Sequence, residues 1–296
     1  RKSYYIFSSI IITCGLVSFF IKGFDFGVDF KGGRNFNVRF EKSISTTTVA
    51  DALKNPFGGQ APLVKTIGTG NTVSITTGYL IGESGEDVDT RVTKQLEDGL
   101  ASIKDNKYEV LKSVTVGPTI ADDLKASAIL AVLLSWVIMF LYILIRFKKW
   151  QFALGATLAI IHDVLVVMSV FSIFTGILPF NMEVDASFIA AILTIMGYSI
   201  NDTVVVFDRI REFTGIHHTL DQRTVINNAL NATLSRTINT SLTIFFVLLA
   251  IFLFGGDVIR GFIFAMLVGI VIGTYSSVCI ATPVVVDFAT DKKVKV

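Results

Sequence analysis

Residues Ala126–Ile145 read ASAILAVLLSWVIMFLYILI, twenty positions without a charge between Lys125 and Arg146. At about 1.5 Å per residue, a helix of that length matches the roughly 30 Å hydrocarbon thickness of a bilayer. The stretch reads as a transmembrane helix, closed by Arg146, Lys148 and Lys149.

The same measure picks out Tyr4 to Ile21, Phe152 to Phe174, Ala186 to Phe207 and Gly261 to Val286. The first of these has a signal peptide as its rival reading. No small-residue cleavage site follows in Gly23-Phe24-Asp25-Phe26, so it reads as an anchor helix. The apolar run Ile244 to Phe254 is too short to span alone. It reaches spanning length if the helix starts near Leu234, which sets Arg236 inside the membrane or at its lip. The expected plan is a first helix over 1–22, an outer domain over 23–122, and a five-helix block over 123–296. The block's spans fall near 126–145, 152–174, 186–207, 234–254 and 261–286, with a cytoplasmic loop over 208–233.

Composition agrees. Of 296 residues, 52% are hydrophobic and 17% charged, where a soluble domain carries about 25% charged residues. A net charge of +2 argues against a nucleic-acid partner. Cys14 and Cys279 both sit in apolar runs, which excludes a disulfide framework, and neither a metal nor a cofactor is expected.

Orientation follows from Lys and Arg in the short loops. With the N-terminus inside, Arg1, Lys2, Arg146, Lys148, Lys149, Arg209, Arg211, Arg223, Arg236, Lys292, Lys293 and Lys295 face the cytoplasm. The short outer loops hold Arg260 among Glu183, Asp185 and Asp257. Both termini are expected in the cytoplasm and the folded domain outside.

That domain alternates strand-like and helical runs: Arg34–Phe40, Thr46–Lys54, Leu63–Ile67, Thr72–Thr77, Glu86–Ala101 and Tyr108–Val116. The order β-α-β-β-α-β is the split βαβ, ferredoxin-like pattern, and Gly68-Thr69-Gly70-Asn71 suits a hairpin. The predicted class is therefore a polytopic α-helical membrane protein of six transmembrane helices with one extracytoplasmic α+β domain. The domain lacks histidine and cysteine, so it reads as a binding or mechanical module.

Ionisable residues within a span are costly and are functional candidates. Asp202, in Gly197-Tyr198-Ser199-Ile200-Asn201-Asp202-Thr203, lies six positions before Asp208, about 8–9 Å inside the cytoplasmic boundary. Tyr198, Ser199 and Asp202 share a helical face. Asp202 is either a packing hydrogen-bond group or a carboxylate that gains and loses a proton, since burial favours its neutral form and a nearby cation its charged form. Arg236 is its natural partner, or else an anchor at the membrane edge, with Thr240 and Ser241 extending a polar strip. His162 and Asp163 fall near mid-membrane, as a second polar relay position or a packing pair. Gly261, Ala265, Gly269, Gly273, Ser277 and Ala281 form a small-residue stripe for close helix contact.

Two facing aspartates, Asp163 and Asp202, raise the thought of an intramembrane protease. Such proteases resemble one another in a Gly-x-Gly-Asp motif, and Ser199-Ile200-Asn201 precedes Asp202 here, so no enzyme is expected. A channel would want polar rings about an axis, and the polar residues are sparse.

The chain resembles the SecF family of bacterial protein export, as a separate subunit or as the SecF half of a fused SecDF. The resemblance rests on Gly27-Val28-Asp29-Phe30-Lys31-Gly32-Gly33, Val116-Gly117-Pro118, His162-Asp163 and Gly197–Glu212. It continues in Leu234-Ser235-Arg236-Thr237 and Leu253-Phe254-Gly255-Gly256, and covers essentially the whole chain. It implies an RND-like, proton-driven helper of protein translocation. The implied partners are SecD or a SecD-like half, the SecYEG channel, YidC and YajC, the unfolded polypeptide in transit, and protons. By the same resemblance Asp202 and Arg236 fall on the proton pathway; Asn201, His162 and Asp163 are further candidates from their places within the spans. Gly27, Asp29, Phe30, Gly32 and Gly33 make a hinge motif whose glycines supply unusual backbone angles. The alternative is a proton-driven RND-type exporter of small molecules or lipids.

Overall fold

The computed structural model describes residues 2–68, 70–83, 86–217, 220–256 and 259–288. Arg1, Thr69, His218, Asp257, Lys292, Lys293 and Lys295, on which parts of the sequence reading rest, lie outside the described residues.

Among the described residues, six helices are long and apolar enough to cross a membrane. The first, α1, spans Lys2–Lys22 and is followed by a one-turn helix α2, Val28–Lys31, that the sequence did not suggest. The outer domain then runs β1 (Gly33–Phe40), α3 (Thr46–Lys54), β2 (Leu63–Ile67), β3 (Thr72–Thr77), α4 (Glu86–Ala101) and β4 (Tyr108–Val116). Its sheet has the order β2-β3-β1-β4 with every neighbouring pair antiparallel, the strand order of a split βαβ arrangement. Phe36, Val38 and Phe40 alternate on β1 toward Val73 and Ile75. Val88, Val92, Leu96 and Leu100 recur every fourth residue on α4, and with Val49 and Leu53 of α3 they close the core.

The opposite face of the sheet is polar and also covered. Asn35 donates to Ser74 Oγ at 2.7 Å and to Thr76 Oγ1 at 2.8 Å, and Asn37, Thr72 and Ser74 are buried. At the β2 edge the Gly68 N–H donates to the carbonyl of Pro179, in the turn between the second and third helices of the membrane block.

The block comprises α5 (Pro118–Phe147), α6 (Trp150–Phe174), α7 (Ala186–Ile216) and α8 (Gln222–Phe254). It ends in a composite helix: α9 (Arg260–Ser276), a π-helical turn (Ser277–Ala281) and α10 (Thr282–Phe288). The π turn has a local cause. Pro283 has no N–H to continue the ladder, and Thr282 Oγ1 donates to the Ser277 carbonyl at 3.0 Å. α6, α7 and α9 form the buried centre, and α1, α5 and α8 lie at the periphery.

Several boundaries differ from expectation. α5 starts at Pro118, with Gly117 as N-cap, because a proline at the first helical position needs no intrahelical N–H. The outer domain therefore hands over at 117, not 122. The expected loop 208–233 is mostly helix. α7 continues through Arg209–Glu212 and Arg211–Asp208 pairs, with the Arg209 guanidinium 4.6 Å from the Phe213 ring. α8 starts at Gln222, where Asp221 accepts the Thr224 N–H at 3.1 Å.

Candidate functional site

Small residues let polar side chains meet inside the bundle. On α6, Ala153, Gly155, Ala156 and Ala159 are buried, and a Cβ on Gly155 would lie 2.7 Å from the Ala281 carbonyl. α1 approaches α6 so closely at Gly15 that any side chain there would overlap Ser169. The small-residue stripe of α9 faces α7: Gly269 packs on Ile195 and Gly273 on Ser199, while Gly261 sits under the Asn181 carbonyl. Ala265 is buried, and Ser277 donates to the Gly273 carbonyl and meets Thr203 Oγ1 at 2.9 Å.

Asp163 has no exposed surface. Its Oδ2 accepts from Ser199 Oγ of α7 at 2.6 Å and from Ser276 Oγ of α9 at 2.8 Å. Its Oδ1 meets Nδ1 of its chain neighbour His162 at 3.1 Å. His162 Nε2 contacts Ser8 Oγ of α1 at 2.9 Å, and Ser8 Oγ contacts the Tyr275 hydroxyl at 3.2 Å. That hydroxyl donates to the Tyr4 carbonyl at 3.2 Å. Sequence reading singled out His162 and Asp163 but missed Ser8, Tyr275 and Ser276. The available signal was a run of hydroxyls, Thr274-Tyr275-Ser276-Ser277, in an apolar helix.

Asp202 occupies a different environment. It is 5% exposed, its Oδ2 is buried with no hydrogen-bond partner among the described residues, and the Arg236 charge acts on it without a hydrogen bond between them. Nearby, the Tyr198 hydroxyl donates to Ser241 Oγ of α8 at 2.9 Å, and Ser241 Oγ meets Thr274 Oγ1 at 2.6 Å. The strip expected to act as one face is therefore divided: Ser199 turns to α6 and α9, and Tyr198 to α8. Asn201 is exposed on α7, as are Thr194 and Gly197. Arg236, Asn239, Thr240 and Thr243 form an exposed stripe on α8, and Thr240 Oγ1 bonds back to the Arg236 carbonyl.

The motif Gly27–Gly33 fastens the outer domain to the start of α7. Phe26 pairs with Val184 in a parallel bridge, and the Gly27 N–H donates to the Val184 carbonyl at 3.0 Å. Asp29 Oδ2 accepts the Ala186 N–H at 2.8 Å, while Asp185 Oδ1 accepts that of Phe188. Two carboxylates thus meet the positive end of one helix. Burial pushes the Asp185 carboxyl up, although the Phe188 hydrogen bond opposes it. Phe30 is buried in the membrane-block core, and Gly32 and Gly33 adopt φ of 72° and 134° that other residues rarely take. Lys65 on β2 pairs with Asp25 and, at 2.9 Å, with Glu183. Burial works to lower the Lys65 pKa, but the two carboxylates prevail and raise it above the ordinary 10.5.

Comparison with known proteins agrees with this architecture. Residues 95–291 match the family described as "Protein export membrane protein SecD/SecF, C-terminal", and residues 17–44 match the "SecD/SecF GG Motif". A "Protein translocase subunit SecF" from Rhodothermus marinus is 44% identical over 97% of this chain and 91% of its own length. One from Vibrio alginolyticus is 34% identical over 99% and 89%. The crystal structure of SecDF, described as a translocon-associated membrane protein, from Thermus thermophilus has a TM-score of 0.81 and 34% identity. It is matched over 95% of this chain and 37% of that longer one. SecDF in a super-membrane-facing form has a TM-score of 0.64 at 32% identity, over 97% of this chain and 37% of that one. With matches across both the glycine motif and the helical block, the chain belongs to the SecD/SecF family of protein-export membrane proteins.

Proposed function

We propose that this chain uses the proton motive force to promote late-stage protein translocation, with Asp202 as the group that gains and loses the proton and Arg236 as its counter-charge. Family membership makes it an accessory subunit of Sec protein translocation in the inner membrane. The observation that carries the coupling reading is the contrast between two buried aspartates. Asp163 is held by three side chains, whereas Asp202 leaves one buried oxygen without a partner beside a cation. A carboxylate not locked by hydrogen bonds is free to change charge as the bundle moves.

The exposed Asn201, Arg236 and Asn239 on the outer side of α7 and α8 support a second membrane body there, because hydrocarbon leaves such groups unsatisfied. A SecD or SecD-like half, on the same polypeptide or a separate one, suits that face. The lysine and arginine bias supports cytoplasmic termini and an outer domain on the far side. SecYEG is the channel served, with YidC and YajC as further partners. Proton binding to Asp202 weakens its attraction to Arg236 and shifts α7 against α8. The outer domain follows and hinders the emerging polypeptide from slipping back, without any enzymatic step. A membrane potential of about 100 mV supplies roughly 2.3 kcal/mol per charge, a bias of over tenfold. The small-molecule exporter reading is not favoured, since the relatives are named translocase subunits.

The test is precursor translocation in inverted membrane vesicles with and without a proton gradient, wild type against Asp202→Asn at equal expression. Loss of only the gradient-dependent part supports the reading. An unchanged gradient dependence sinks it.

A further inference from the structure

The hydrogen-bond chain through α6, α1 and α9 has a direction that its members impose. The Tyr4 carbonyl only accepts, so the Tyr275 hydroxyl donates its single proton there. Tyr275 oxygen must then accept from Ser8, and Ser8 oxygen in turn accepts from an Nε2–H of His162. At the other end, Ser199 and Ser276 both donate to Oδ2 of Asp163. One proton is left for the 3.1 Å contact between His162 Nδ1 and Asp163 Oδ1, as imidazolium and carboxylate or as imidazole and carboxylic acid.

We infer that Asp163 and His162 are a second proton-binding pair, and that Ser8 and Tyr275 are the wire through which the pair exchanges protons with the membrane face at Tyr4. The wire rests on the proton-coupled reading above and adds a site to it, on the side of α7 away from α8. In the discharge step the Nε2 proton passes to Ser8, the Ser8 proton to Tyr275, and the Tyr275 proton to water at the Tyr4 end. Each hydroxyl keeps one proton, and the shared proton stays on Nδ1 facing the carboxylate, so the pair goes from net zero to minus one. Recharging runs the same steps backwards. Ser199 carries the pair's state into α7, which also bears Asp202.

Three features favour a working wire over inert packing. Asp163 is fully buried while Tyr275 is half-buried, so the chain leads from the core to an edge. Tyr4 and Ser8 lie one turn apart near the start of α1, so the exit is at a helix end. The π turn begins two residues after Tyr275, and such turns break the helical ladder where side chains must move. Among the described residues, His162 is the titratable group in contact with Asp163, and Cys279 and Tyr4 are those facing Tyr275. α7 contributes the Ser199 hydroxyl.

The experiment uses the full membrane complex, with Ser8→Ala, Ser8→Thr and Asp202→Asn compared at equal membrane abundance for translocation with and without a gradient. The expected result is a fall of about tenfold or more in the gradient-dependent part for Ser8→Ala, recovery in Ser8→Thr, and an unchanged gradient-independent part. Wild-type behaviour of Ser8→Ala, or equal loss in both Ser8 variants, overturns the wire. If Asp202→Asn keeps its gradient dependence, the proposed function fails instead. If Asp202→Asn loses it and Ser8→Ala does not, only the wire fails. As a measurement independent of Ser8, infrared difference spectra of the purified complex on a pH step should show a carboxylate band, shifted as the neighbouring imidazolium loses its proton, that is absent from Asp163→Asn. Identical spectra for the two overturn the pair as a proton site.

Discussion

Ser199 donates its hydroxyl to Asp163 across 2.6 Å, and three residues further along the same helix Asp202 carries a buried oxygen with no such donor. One aspartate is therefore built into the packing of three helices, and the other is buried without such hydrogen bonds.

Stability and transport should separate on these two residues. Asp163→Ala leaves Ser199, Ser276 and His162 without their acceptor, at about 1–3 kcal/mol for each buried group stranded. Thermal unfolding in detergent should show a large loss for Asp163→Ala. Asp202→Asn should unfold within about 1 kcal/mol of wild type.

Arg236 acts on Asp202 without a hydrogen bond, so charge rather than fork geometry matters there. Arg236→Lys is expected to keep most gradient-dependent translocation, and Arg236→Leu to lose it. Equal loss in both variants would show that the guanidinium shape is needed.

Lys65 holds the outer domain to the turn before α7 through Asp25 and Glu183. Its folded pKa is raised, so its contribution is fully present below the ordinary 10.5 and is lost as pH rises through the higher folded value. Lys65→Met should speed hydrogen exchange at the Gly68 amide by about fivefold, corresponding to about 1 kcal/mol for a partly exposed pair. Raising wild-type protein through that alkaline window should lower the protection of this amide, relative to its intrinsic exchange rate, by the same factor, and the variant's protection should not change.

Gly155→Ala sets a methyl 2.7 Å from the Ala281 carbonyl, an atom of backbone that cannot swing aside. A loss of about 1–3 kcal/mol is expected, read as a lower unfolding temperature. Gly197→Ala, where a Cβ meets nothing in this chain, should be neutral in the isolated subunit.

Much of the molecule was legible in advance, for physical reasons. α3 and α4 fall where fourfold spacing sets them, because one face of each is buried, and β3 where its apolar alternation does, with Val73 and Ile75 in the core. Asp202 and Arg236 stood out as charges in apolar runs. The helical extensions past Phe207 and before Leu234 did not, since the charged and polar residues there interrupt the apolar run that marks a span, although Ile210, Ile226 and Ala229 are buried in the core. The partners of Asp163 were hidden for another reason. Ser199 and Ser276 come from two other helices, as does Ser8 beside His162, and they meet only in the packed state. Gly32 and Gly33 do take unusual backbone angles, but the surrounding motif is a clasp on α7, which no local pattern announces.

That clasp gives α7 a mechanical property. Asp29 grips the helix at Ala186, sixteen residues from Asp202, a lever arm of about 24 Å. A tilt of about 10° pivoting at Asp202 carries the gripped end roughly 4 Å sideways. An event as small as one proton arriving at the pivot is thus geared up to a displacement comparable to the spacing between neighbouring strands, delivered directly to the base of the outer domain.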